Sequence, residues 1–258
     1  MALIRSWLSG ARSGSYQYNL KAATQKFGSS ICVVSRRAGV SRAVMNDAGK
    51  DSSSRKQEVL SRVVLHATPF LRLVDVEYTR PPWDKSRHWA MAERPTSKHG
   101  QPGFTDAVCM LCIVRKKGCG PQVVVVKQFR PALGLRTVEL PAGLVDEGET
   151  FQEAALRELK EETGYTGTII SWTGVQYLSP GLTNECVRTV TVEVDGDAAQ
   201  NNELREPSAD DASTIAIELL PLSTLREALQ NLEAEGFGIK AMLSAFAQGL
   251  AMTSRLRE

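Results

Sequence analysis

Residues 143–165 read Gly-Leu-Val-Asp-Glu-Gly-Glu-Thr-Phe-Gln-Glu-Ala-Ala-Leu-Arg-Glu-Leu-Lys-Glu-Glu-Thr-Gly-Tyr, and this segment constrains the chain more than any other. Gly143, Glu149, Arg157, Glu158, Glu161, Glu162 and Gly164 stand in the order G-x5-E-x7-R-E-U-x-E-E-x-G-U, where U is a bulky apolar or aromatic residue. At ordinary residue usage, so many matches in register arise by chance about once in 10^8 segments. The spacing predicts a helix over 151–163. Thr150 and Glu153 form a capping-box pair at its start, and Gly164 suits the left-handed residue that ends it.

At 100° per residue Glu158 and Glu162 share a face with Glu161 beside them, while Phe151, Ala155 and Leu159 form a stripe that can be buried. Like charges so placed repel, which disfavours the helix unless a cation sits among the carboxylates. Oxygen-only ligands select a hard ion such as Mg²⁺ or Mn²⁺. Arg157 can pair with Glu161 or Glu153 at i±4 and so fix a ligand rotamer. The plainer alternative, a solvated acidic face, leaves the registered glycines and arginine unexplained.

This segment resembles a complete Nudix box, the signature of hydrolases that cleave a diphosphate linked to another moiety. The resemblance implies an α/β fold, the Nudix α/β/α sandwich with a mixed sheet. It implies that Glu158, Glu161 and Glu162 bind divalent metal together with the carbonyl of Ala142, and that Arg157 and Glu149 support the helix. Such metal would neutralise diphosphate oxygens, acidify a water and stabilise the leaving phosphate.

The flanking residues narrow the substrate class. Gln122-Val-Val-Val-Val-Lys-Gln-Phe-Arg130-Pro131 reads as an apolar strand ending in a cation; Val138-Glu-Leu-Pro-Ala-Gly143 and Leu178-Ser-Pro-Gly-Leu-Thr-Asn-Glu185 follow. These are similar to the ADP-ribose and ADP-sugar pyrophosphatase branch, in which the strand-end arginine, here Arg130, contacts substrate. Gly143 and Gly181 are residues that let backbone approach phosphate closely. Phe70 to Tyr78 alternates as a strand does, and Arg87 to Arg94 follows a Pro-Pro turn. The resemblance implies that this N-terminal antiparallel strand pair crosses to a second subunit of a homodimer. It also implies that Trp89 and Arg94 hold the base, with Phe70 as a second stacking wall; ordinary packing is the alternative for both aromatics. The expected reaction yields AMP and a sugar phosphate.

One departure concerns the base that would activate water. Relatives carry a glutamate on the loop before the last core strand, where this chain aligns Ser213. Glu206, Asp210 and Asp211 are the nearby carboxylates, with deprotonation of a metal-bound water by box residues as the alternative; Asp211 joins Arg157, Glu158, Glu161 and Glu162 as a candidate catalytic residue. Two alternatives keep the box: hydrolysis of another nucleoside diphosphate derivative (a GDP-sugar, NADH or an oxidised nucleoside diphosphate), or a non-catalytic nucleotide-binding module. The second usually lacks box carboxylates, and none is missing here.

The remaining features set boundaries. A net charge of +2 gives no case for nucleic acid, and no apolar run approaches the roughly 18 residues of a membrane span. The cysteines at 32, 109, 112, 119 and 186 match neither a disulfide framework nor a zinc pattern. Cys109 and Cys112 should face opposite sides of one strand. Residues 1–46 are basic and serine-rich with no acidic residue, the composition of a mitochondrial transit peptide, with a plastid destination or an untargeted cytoplasmic tail as alternatives. Residues 47–65 read as a linker, 66–104 as the strand pair and 105–252 as the Nudix domain. Strands are expected near 105–115, 121–128, 168–178, 187–195 and 214–220. Helices are expected from a Thr224/Glu227 capping box and over 239–252.

Overall fold

The computed structural model describes residues 57–79, 85–97, 103–202 and 215–256. The candidate leader 1–46 and the loop bearing Glu206, Asp210, Asp211 and Ser213 lie outside the described residues. The elements run β1 (Val59–Ala67), β2 (Arg72–Tyr78), β3 (Arg87–Glu93), β4 (Ala107–Arg115), β5 (Gln122–Arg130), β6 (Leu135–Glu139), β7 (Ala142–Leu144) and α1 (Phe151–Thr163). They continue as β8 (Thr168–Trp172), β9 (Gln176–Tyr177), β10 (Cys186–Asp195), α2 (Ala199–Asn202), β11 (Ile215–Pro221), α3 (Leu225–Ala234), β12 (Gly238–Ile239) and α4 (Ala241–Arg255).

β4 is the spine because its sequence is apolar on both faces. Val108, Met110, Cys112 and Val114 point to one core with Ala154, Ala155 and Leu159 of α1, and with Val190, Val192 and Val194 of β10. Cys109 and Ile113 point to the other, with Leu225, Leu229 and Leu232 of α3 and Leu243 and Ala247 of α4. Helices therefore cover both faces of a mixed sheet, as the α/β/α sandwich requires. The two cysteines do fall on opposite faces, and burial pushes the Cys109 thiol up to about 11.

The sheet runs β12-β6-β5-β4-β10-β8, with β11 on β5, β7 on β4 and β9 on β10. β4 and β10 pair in parallel from Ala107–Val187 to Arg115–Asp195. β4 and β5 pair only at Ile113–Val123 and Val114–Gln122, next to their connection. Beyond that point they part, and β7 takes over the edge of β4 through Ala107–Leu144, Val108–Gly143 and Cys109–Ala142. The residues just before the helix are thus built into the sheet, and the space between Ala107 and Arg130 is left open.

Several boundaries differ from expectation. The proposed linker over 47–65 ends earlier, because Val59–Ala67 pairs antiparallel with β2. The N-terminal unit is accordingly a sheet of three strands, β1-β2-β3, with a small core of Val74, Val76 and Met91. Thr224 makes no side-chain cap on α3, because a 3₁₀ turn over Leu222–Thr224 precedes the helix and gives Thr224 φ −124° and ψ 20°. Ile239 belongs to a short parallel strand on β6, so the last helix starts at Ala241.

Leu159 is fully buried, whereas Leu156 on the same helix is 40% exposed. Leu159→Ala should cost about 2–5 kcal/mol in denaturant unfolding, and Leu156→Ala about 0.5 kcal/mol or less.

Candidate active site

α1 starts and stops where its sequence says it should. The Thr150 hydroxyl accepts from the Glu153 N–H at 3.3 Å, and the Glu153 carboxylate accepts from the Thr150 N–H at 2.9 Å. Gly164 ends the helix at φ 70°, and its N–H donates to the Lys160 carbonyl. Glu153 is thereby committed to the cap, so Arg157 reaches Glu161 and not Glu153.

Arg157 organises the loop and the helix together. Its Nε and Nη2 donate to the two carboxylate oxygens of Glu149, each at 2.9 Å, and Nη2 also donates to the Leu144 carbonyl at 3.0 Å. Its Nη1 donates to Glu158 at 2.9 Å and to Glu161 at 3.1 Å. These bonds use all five guanidinium donors. The Glu149 hydrogen bonds are the main cause of an Arg157 pKa raised above its ordinary value.

The carboxylates meet the strand β7. Glu162 is buried and accepts from the Ala142 N–H at 3.0 Å. A Cβ at Gly143 would overlap the Glu158 carboxylate where it now lies, so a side chain there would have to displace it. Burial, followed by the nearby charges of Glu161 and Asp146, raises the Glu158 pKa even though Arg157 opposes it. The Glu158 charge is thus disfavoured where it lies. Among the described residues no three carboxylate, imidazole or thiol groups close around one point as a ready-made cage. Glu158 and Glu161 lean on Arg157 instead. The donors available, the three glutamates and the Ala142 carbonyl, are oxygens suited to a hard divalent cation.

Gly143 also lines a cavity of about 610 Å³ in the space where β4 and β5 part. Arg94, Arg130, Glu139, Glu185 and Lys240 line it too, while the box glutamates do not. Arg130 is clamped by Glu139, through Nε at 2.7 Å and Nη2 at 2.8 Å, and Arg94 Nε donates to Glu185 at 2.5 Å. Burial alone would raise the Glu139 pKa, but hydrogen bonds from Arg130 and Thr137 and the charge of Lys240 hold it down at about 2.

Trp89 sits elsewhere. It lines a second cavity, of about 660 Å³, with Arg62, Tyr78, Tyr177 and Asn184. Its indole N–H donates to the Gly181 carbonyl at 3.1 Å, and the Ala92 N–H donates to the Leu182 carbonyl, so β3 is tied to the Ser-Pro-Gly loop. Trp89 and Arg94 are five residues apart at the end of a strand and line different cavities. Phe70, in the bend between β1 and β2, is 80% exposed and lines neither cavity. Within one chain these aromatics form no stacking sandwich.

Sequence reasoning missed Glu139, Glu185 and Lys240. A lone carboxylate between apolar neighbours in Thr137-Val-Glu-Leu140 marks the first, since such a residue is buried only with a partner. Lys240 has no local signal, because its partner is brought to it by the β6–β12 pairing.

Comparison with known proteins fits this arrangement. The NUDIX domain model matches residues 103–238. An uncharacterized Nudix hydrolase of Schizosaccharomyces pombe is 43% identical over 166 residues, 64% of this chain and 78% of that protein. The ADP-ribose pyrophosphatase of Saccharomyces cerevisiae is 36% identical over 177 residues, 68% of this chain and 75% of that one. The ADP-sugar pyrophosphatase of Mus musculus is 32% identical over 202 residues, 78% and 90%. Matched box, sandwich and relatives together place the chain in the Nudix hydrolase family.

Proposed function

We propose that this enzyme hydrolyses the diphosphate linkage of ADP-ribose or a related ADP-sugar to AMP and a sugar phosphate, with Mg²⁺ or Mn²⁺ as cofactor. The observation that carries the reading is Gly143, which lies against the Glu158 carboxylate and also lines a cavity walled by Arg94, Arg130 and Lys240. A diphosphate needs both kinds of contact. The relatives named as ADP-ribose and ADP-sugar pyrophosphatases support the adenine nucleotide.

Nudix hydrolases generally work with a divalent metal, and here Glu158, Glu161, Glu162 and the Ala142 carbonyl would hold it. When bound, it supplies charge neutralisation at the diphosphate and a more acidic water. The chain's own residues do the rest. Arg130 spends two bonds on Glu139 and keeps its other donors for an anion; Arg94, anchored on Glu185, does the same. Asp211, which precedes β11 in the sequence, is the proposed base.

A second copy of the chain belongs to this proposal. Every residue of β1 is exposed, among them Val59, Leu60, Val63, Val64 and Leu65, and a long apolar strand of this kind calls for a cover. The exposed Phe70 would then be placed to reach the partner's base pocket.

Three measurements test the proposal. Product analysis with Mg²⁺ against ADP-ribose, ADP-glucose, GDP-mannose, NADH and 8-oxo-dGDP should show AMP released fastest from ADP-ribose or ADP-glucose. Preference for a guanine or oxidised substrate would discard the adenine reading, and no turnover at all would point to a binding module. Glu162→Gln and Gly143→Ala should each lower kcat at least about a hundredfold, Gly143→Ala by displacing Glu158, and Asp211→Asn should lower kcat with KM kept. Full activity in Glu162→Gln would remove that residue from the ligand set. Light scattering should give the mass of two chains, and a Val63→Glu/Leu65→Glu variant should be monomeric; a monomeric parent chain would end the dimer proposal.

A further inference from the structure

Lys240 lines the cavity beside Arg130, and the sheet fixes its position. Its backbone N–H donates to the Val138 carbonyl at 3.1 Å, which continues the β6–β12 pairing by one residue and sets its side chain at Glu139. The ammonium lies 3.0 Å from Glu139 Oε2. That carboxylate is only 4% exposed and already has Arg130 on both oxygens and the Thr137 hydroxyl at 2.7 Å. One arginine is enough to neutralise one carboxylate.

The lysine is therefore surplus to a structural ion pair. Arg130 and Lys240 share a single negative charge, so the cluster keeps one net positive charge at the cavity wall. Lys240 is 26% exposed in its side chain, lines the cavity, and spends one of its three donors on Glu139. The neighbouring pair, Arg94 and Glu185, balances to zero and adds no competing negative charge. A surplus cation with unspent donors, facing an open cavity, suits an anion.

We propose that Lys240 is a second diphosphate-contacting cation of this cavity, held beside Arg130 by the carboxylate of Glu139 that they share. The inference rests on the cavity being the diphosphate site. A diphosphate carries two anionic groups one bridging oxygen apart, and two cations fixed to one carboxylate offer a matched pair of contacts. Lys240→Met removes one contact and leaves the Arg130 clamp and the Thr137 bond in place, so lost affinity reports on the lysine itself.

The test is calorimetric titration of the full chain with inorganic pyrophosphate in EDTA, beside steady-state kinetics with ADP-ribose and Mg²⁺. Lys240→Met should weaken pyrophosphate binding about tenfold or more and raise KM with kcat within about threefold, as loss of one charge-assisted contact does. Lys240→Arg should restore both, and both variants should melt with the parent chain. If Lys240→Met does not fold, Lys240→Gln, which keeps a hydrogen bond to Glu139, is read in its place. Equal pyrophosphate affinity in parent and variant, or none in the parent, overturns the proposal even where AMP release supports the substrate. Lysine-dependent pyrophosphate binding without AMP release supports the contact and rejects the substrate.

Discussion

The site depends on the way Arg157 spends its donors. A guanidinium has five N–H groups in a fixed plane, and here two go to Glu149, one to the Leu144 carbonyl, one to Glu158 and one to Glu161. The plane thereby joins the loop before α1 to Glu158 and Glu161 on the helix. Its orienting value exceeds its stabilising value, since Arg157 is 28% exposed and water screens each pair. A lysine would supply the charge without the fork, leaving the glutamates free to rotate.

That local device works only because the sheet delivers β7 to the right place. The early parting of β4 and β5 lets Ala142–Leu144 add to β4, which puts the Ala142 N–H on Glu162 and the bare Gly143 against Glu158. The same parting opens the cavity on the other side. One irregularity in strand pairing thus creates both the cluster and the space its substrate would occupy.

How much of this the sequence disclosed follows the range of the interactions involved. The bounds of α1, its capping box and the φ of Gly164 depend on residues within one or two turns, and all are visible in residues 150–164. The alternation of β4 likewise foretold that Cys109 and Cys112 face opposite sides, and the structure makes both sides cores. Strand β1 was read as linker because its apolar residues are interrupted by Ser61, Arg62 and His66, so neither a clean alternation nor a continuous apolar run marks it. Its partner β2 supplies the order that its own pattern does not. The Glu139–Lys240 contact was invisible for a stronger reason: two single charges far apart in sequence carry no shared periodicity, and only the parallel β6–β12 pairing joins them. Trp89 and Arg94 show the opposite case, a pairing read from sequence that one chain alone does not assemble. Their spacing fits a motif, yet Trp89 lies within β3 and Arg94 just past its end, and within one chain they line different cavities.

The formal net charge of +2 conceals this organisation, because what matters is how the charges are sorted across Gly143. On one side, Glu158, Glu161 and Glu162 outnumber Arg157; on the other, Arg94, Arg130 and Lys240 outnumber Glu139 and Glu185. A polyphosphate cannot approach the first side without a cation to bridge it, and is attracted to the second without help. Gly143, with no side chain, lies against Glu158 and also lines the cavity of Arg94, Arg130 and Lys240, so both groups meet at one residue. The burial of Glu139 follows from the same requirement. A carboxylate that is 4% exposed and bonded on both oxygens fixes the cations beside it while offering little free anionic surface to the cavity.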